Sequence, residues 1–127
     1  MPLQKQHLPI LYGIAKDAFD RNITKSAAAK EISRHGGIKV GTANDLVRNL
    51  EHMIKAEPYN RRLASAVTEY FLEAIREDFG NAGLANALTA LWGHIDYYEG
   101  KVKVNSVTDR SIHQRFHAAL DTGKATS

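Results

Sequence analysis

The sequence predicts a small all-α protein of about six helices, with a helix-turn-helix-like N-terminal half packed on a central helical hairpin. Apolar residues recur mainly at helical spacing, and no stretch alternates convincingly with the period of two that marks a strand. Glycine, proline and N-capping residues interrupt the pattern at intervals typical of helices. The 127 residues suffice for one ordinary hydrophobic core, so we expect a single domain over 1–120 and a flexible tail over 121–127.

Three helices are predicted in the N-terminal half. The first runs from about residue 3 to residue 20, and the second covers Lys25–His35 with Thr24 as its N-cap. Paired glycines at 36 and 37 end the second helix. We predict that Thr42, supported by Asp45 three residues later, caps the third helix.

Three more helices are predicted after the turn at Pro58. The fourth runs from about 61 to 79, and the fifth, over 82–99, buries a stripe consisting of Leu84, Leu88, Leu91, Ile95 and Tyr98. Gly80 and Asn81 separate these two helices into a hairpin. Gly83 and Gly93 are expected to allow close helix packing, and the last helix, capped by Asn105 or Ser106, runs to about Leu120.

Composition and charge narrow the class of protein. The chain has no cysteine, which excludes a disulfide scaffold, a cysteine-ligated metal and thiol catalysis. It has no long apolar run or signal-peptide pattern, so we expect a cytoplasmic protein without membrane contact. Residues 1–62 carry eleven Lys and Arg against six Asp and Glu, whereas 63–100 carry one against six. Such a basic block is typical of nucleic-acid binding, or it neutralises the acidic helix internally.

The segment from Lys25 to Leu50 is typical of a helix-turn-helix, a unit that either binds double-stranded DNA or only packs helices. Its second helix offers donors for phosphates and base edges, namely Thr42, Asn44, Arg48 and Lys55. Contacts to the phosphate backbone of the DNA would come from the flanking residues Arg34, Lys39, Arg61 and Arg62. Arg48 is the expected base-reading residue. In the competing arrangement, Arg48 pairs with Asp45 or Glu51 on a solvated helix face.

The aromatic end of the fifth helix predicts a protein interface. Trp92, Tyr97 and Tyr98 cannot all face the same side as Leu91, because neighbours on a helix diverge by about 100 degrees. We therefore expect a homodimer with Trp92 at or near the interface. A dimerisation domain without nucleic-acid contact is the alternative to DNA binding.

Searches for catalytic and metal motifs favour a non-enzymatic protein. The sequence contains no phosphate-binding glycine loop and no nucleophile elbow. His113 and His117 have the i, i+4 spacing of a metal-binding pair, but we interpret them as solvated histidines beside Phe116. The polar aromatic cluster over His94–Glu99 either does acid–base work or, as we favour, anchors a helix end. We predict no catalytic residue, metal or cofactor.

Several segments resemble a helical module from the N-terminal part of some HNH-type restriction endonucleases and related prokaryotic proteins. They are Val40–Arg62, Thr68–Leu72, Asp78–Gly80, Ala87–Leu88 and His94–Glu99, within a similarity that covers roughly 24–100. The HNH nuclease motif itself is absent. The resemblance implies an accessory module of prokaryotic DNA processing or restriction, standing alone or excised, with cleavage carried out by a nuclease in another domain or chain.

Overall fold

The computed structural model describes residues 5–59, 61, 63–102 and 107–126. Side chains are described over 6–59, 61, 63–101 and 107–120. Most of the described residues are helical. The helices are α1 (Leu8–Phe19), α2 (Lys25–Gly36), α3 (Val40–Ile54), α4 (Ser65–Tyr97) and α5 (Val107–Thr126). A 3-10 turn (Lys5–His7) precedes α1, and a π-helical turn (Tyr98–Val102) follows α4. These residues include no strand, so the predicted all-α class is confirmed. No helix among them is both long and apolar enough to cross a membrane.

Contacts within the chain divide it into two compact units, Met1–Glu51 and His52–Ser127. In the first unit, α1 packs along α2. Leu11 and Ala15 on α1 are buried, and so are the small Ala28 and Ala29 on α2. Thr24 caps α2 as predicted, because its Oγ1 accepts a hydrogen bond from the Ala27 amide at 3.1 Å.

In the second unit, α4 contains the break predicted at Gly80. The backbone of Gly80 has φ +75° and ψ −167°, which are not helical angles and which suit only glycine. A β-carbon built at Gly83 would lie 3.3 Å from Ile75 Cγ2 and would also overlap Phe79. Residues eight apart in a straight helix are separated by about 12 Å along its axis, so the chain must bend sharply here. The predicted fourth and fifth helices are thus the two arms of α4, over 65–79 and 81–97.

The apolar stripe predicted on the second arm of α4 is buried, except that Tyr98 is only half-buried. This helix packs along α5. The three inward residues predicted on α5 are also buried, namely Ile112, Phe116 and Leu120. Helix α5 continues to Thr126, beyond the predicted end at Leu120, whereas the predicted caps Asn105 and Ser106 lie outside the described residues.

Candidate nucleic-acid interface

The turn between α2 and α3 is only three residues long, from Gly37 to Lys39. Gly37 has φ +66°, and its amide donates a hydrogen bond to the Ser33 carbonyl at 3.0 Å. This left-handed residue ends α2 and redirects the chain at once. The Ser33 hydroxyl donates to the Ile38 carbonyl, so the turn is also held against the last turn of α2.

The prediction that Thr42 caps α3 is wrong. Helix α3 begins at Val40, and the amide of Ala43 donates to the Lys39 carbonyl at 2.9 Å. Thr42 therefore lies inside the first helical turn, with an exposed side chain. The physical reason is the tight turn at Gly37, which positions Lys39 to start the helix early. The resulting turn length matches the three to four residues usual in helix-turn-helix units.

Arg48 lies on the exposed side of α3 and has no ion-pair partner among the described residues. Glu51, a partner of Arg48 in the competing arrangement, instead accepts a hydrogen bond from Lys25 Nζ at 2.7 Å. That ion pair joins the start of α2 to the later part of α3. Asn44 is half-exposed one turn before Arg48, and residues four apart share a helix face. This face therefore presents a guanidinium beside an amide.

Arg34 and Lys39, the two residues near the turn that are predicted to contact DNA phosphates, differ in whether a nearby carboxylate neutralises their charge. Arg34 is exposed but donates to Glu31 at 2.6 Å, and His35 Nε2 lies 3.6 Å from the same carboxylate. Lys39 is exposed in the turn, and no described residue forms an ion pair with it. Lys39 is thus better suited to a phosphate contact than Arg34.

The remaining predicted contacts belong to the second unit. Lys55 is exposed directly after α3, and Arg61 is exposed in the segment before α4. Arg62 lies outside the described residues. The predicted residues that share the first unit are Arg34, Lys39, Thr42, Asn44 and Arg48.

The predicted interface aromatics have different environments in the second unit. Trp92 is 46% exposed, and the Arg110 guanidinium lies 5.2 Å from its ring centre. Tyr97 is 37% exposed. Tyr98 is half-buried, with its ring centre 4.7 Å from that of His94. Trp92 and Tyr97 therefore present aromatic surface to solvent, whereas Tyr98 also packs inside the unit.

A buried aromatic pair joins the loop before α4 to its second arm. The rings of Tyr59 and His94 stack with their centres 4.4 Å apart, and His94 Nδ1 donates to the Tyr59 carbonyl at 2.7 Å. Burial raises the pKa of Tyr59 above its usual range, and the charge of Asp109 adds to this effect, so the phenol is neutral at pH 7. With both rings buried, this arrangement suits anchoring of the loop. Sequence reasoning identified His94 but missed Tyr59, because no local pattern links residues 35 positions apart.

The predicted histidine pair lies on α5 beside Trp92. The ring centres of His113 and His117 are 5.8 Å apart, and those of Trp92 and His113 are 5.2 Å apart. Among the described residues, no group of three or more His, Asp or Glu side chains is arranged to hold a metal ion. The described residues thus supply two neighbouring imidazoles here.

No protein-family model matches the chain, and no curated protein or solved structure is significantly similar to it. The resemblance to the helical module of HNH-type restriction endonucleases therefore rests on the sequence segments that carry it.

Proposed function

We propose that the first unit binds double-stranded DNA, with α3 as the recognition helix. The observation that carries this proposal is the exposure of Arg48 without an ion-pair partner among the described residues. A guanidinium can donate two hydrogen bonds to O6 and N7 of guanine in the major groove. Asn44, one turn away on the same face, has the amide chemistry that pairs with adenine.

The local geometry of α2 and α3 supports this role. A turn of three residues containing a left-handed glycine is the connection used in helix-turn-helix units. In those units the N-terminal part of the second helix meets the base edges. Asn44 lies about one turn after Val40, in this N-terminal part, and Arg48 lies one turn further along the same face, near the middle of α3.

The charges of the first unit also favour a polyanionic partner. Residues 1–51 contain eight Lys and Arg against five Asp and Glu. Three of the acidic side chains form ion pairs inside this unit, Asp20 with Lys16, Glu31 with Arg34 and Glu51 with Lys25. Lys30, Lys39 and Arg48 have no such partner in the described chain, so their charges are available for phosphates.

We propose further that the protein is a non-catalytic accessory module, and that any cleavage is carried out by a nuclease domain or chain of the same DNA-processing system. The resemblance over roughly 24–100 supports this assignment. A module with this role requires no reactive group at α3, only hydrogen-bond donors and positive charge. Arg48, Asn44 and Lys39 supply those donors.

A salt titration tests the DNA proposal. Fluorescence anisotropy measures binding of the full chain to a labelled random-sequence duplex across a series of salt concentrations. We expect the logarithm of the association constant to fall linearly with the logarithm of salt concentration, since each phosphate contact releases counterions. Absence of binding at low salt would overturn the proposal.

Self-association through Trp92 is a second candidate function. A tryptophan that is 46% exposed is the kind of surface residue that protein interfaces favour. We expect sedimentation to show a dimer that weakens when Trp92 is replaced by Ala. A monomer at every protein concentration up to the high micromolar range would contradict this candidate.

A further inference from the structure

His113 and His117 lie one helical turn apart on α5, with His117 exposed and His113 half-buried. Residues four apart lie on the same face of a helix, and their ring centres are 5.8 Å apart. Two imidazoles bound to one tetrahedral zinc ion have centres about 5 Å apart, given zinc–nitrogen distances of about 2.0–2.1 Å. The two rings now lie nearly parallel, at 16°, so both side chains must rotate to point a nitrogen at the same ion, and the helix need not move for this.

The ring of His113 is held in place by a hydrogen bond to the backbone of Leu88. Such a bond to a backbone carbonyl is the usual way in which a metal-binding histidine is oriented, because it leaves the other ring nitrogen for the metal.

The described residues offer this pair no third ligand. Structural zinc sites have four protein ligands, and the described residues contain no group of three or more suitable side chains. A second copy related by twofold symmetry would present the same pair and bring the total to four imidazoles.

The surface around the pair is suited to contact with such a copy. His113 and His117 line two adjoining grooves of about 540 and 480 Å³, and both grooves are bordered by Trp92. Leu88 and Leu120 line the larger groove. Burial of the exposed Trp92 ring against a neighbouring chain would stabilise the dimer in addition to the metal–ligand bonds.

We propose that a divalent transition-metal ion, with zinc as the representative, is bound between His113 and His117 of one chain and the same two residues of a second copy. The proposal deepens the self-association through Trp92 and is independent of DNA binding. Four neutral imidazoles form a tetrahedral nitrogen site, which suits zinc.

Analytical ultracentrifugation of the full chain tests this site. The chain is first stripped with EDTA, dialysed, and then titrated with zinc chloride while calorimetry gives the stoichiometry. We expect the sedimenting mass to double on addition of zinc, with one zinc bound for every two chains. Because Trp92 is the only tryptophan and lies beside His113, copper(II) should also quench the intrinsic tryptophan fluorescence.

Two variants and one control separate the possible results. His113→Ala and His117→Ala should each abolish the zinc-dependent doubling, with circular dichroism confirming that they fold. His35→Ala, which removes an exposed histidine on α2, should leave the doubling unchanged. Zinc bound by a monomer, or no zinc binding, would overturn the proposal. A dimer that persists in EDTA and in His113→Ala would also overturn it, while supporting metal-independent association through Trp92.

Discussion

The ring of Pro58 packs directly against the backbone of Gly93. A β-carbon at position 93 would lie 2.7 Å from Pro58 Cγ and 2.8 Å from Pro58 Cβ, well inside the usual separation of nonbonded carbon atoms. Glycine at 93 therefore allows the loop before α4 to lie against its second arm, where Tyr59 stacks on His94. Gly93 does allow a close approach, but of the loop residue Pro58 and not, as the sequence predicted, of another helix.

Replacement of Gly93 by Ala should destabilise the protein by about 1–3 kcal/mol, since the added methyl group must displace Pro58. Urea denaturation followed by circular dichroism measures the change. Gly13→Ala is the matched control, because Gly13 lies within α1 and a β-carbon there meets no atom within 4 Å. The control should be as stable as the parent or more stable by up to about 1 kcal/mol. Equal stabilities of the two variants would contradict the packing at Gly93.

Loss of the Thr24 cap should also be measurable. Thr24→Ala removes the oxygen that accepts the Ala27 amide and should cost about 1 kcal/mol in the free energy of unfolding. Thr24→Ser retains that oxygen and should unfold at nearly the parental urea concentration. If Ser and Ala destabilise equally, the hydroxyl does not act as a cap.

Removal of the Tyr59 hydroxyl, unlike that of the Thr24 hydroxyl, should not destabilise the protein. The Tyr59 oxygen is buried and has no hydrogen-bond partner among the described residues. Tyr59→Phe retains the ring that stacks on His94 and removes an unpaired polar atom, so stability should be unchanged or slightly increased. Thermal unfolding of the two proteins decides the point. A loss above about 1 kcal/mol would indicate that the hydroxyl has a stabilising partner.

Leu91 tests the core of the second arm of α4. Its side chain is 0% exposed, so truncation to Ala should cost about 2–5 kcal/mol through lost burial and the cavity that remains. Thr89→Ala, at an exposed position of the same helix, should change stability by less than about 0.5 kcal/mol. Urea unfolding curves of both variants provide the comparison, and a small effect at Leu91 would contradict its burial.

Periodicity predicted the core of this protein well because burial repeats along each helix. Leu84, Leu88, Leu91 and Ile95 are all buried, as their spacing of three and four residues predicts. Gly80 predicted the break in α4 equally well, since other residues rarely adopt its positive φ.

The candidate site was predicted less well where it depends on geometry outside the local pattern. Thr42 and Asp45 have the residue types of an N-cap, yet Gly37 turns the chain so sharply that α3 starts before them. The contact of Tyr59 with His94 joins distant parts of the chain, and local spacing contains no information about it. The ion pair of Glu51 with Lys25 could likewise not be predicted from local spacing, because Lys25 lies on another helix.

The negative charge of Asp45 allows a test of the proposed DNA-binding face of α3, which carries Asn44 and Arg48. Asp45 lies three residues before Arg48 on α3 and has no ion-pair partner in the described chain. Asp45→Asn should strengthen DNA binding at low salt, because it removes a charge that repels phosphates. The gain should shrink as salt increases. An unchanged association constant at low salt would show that DNA does not approach this part of α3.

The most direct test of the DNA proposal compares Arg48→Ala with Arg76→Ala in binding to duplex DNA. Both variants lose one exposed positive charge, but Arg76 lies on α4 in the second unit. Anisotropy titrations against a set of duplexes at fixed salt should show that Arg48→Ala loses about 1–3 kcal/mol of binding free energy and changes sequence preference. Arg76→Ala should bind like the parent. Equal affinities of the two variants, or no DNA binding by the parent at low salt, would contradict the account.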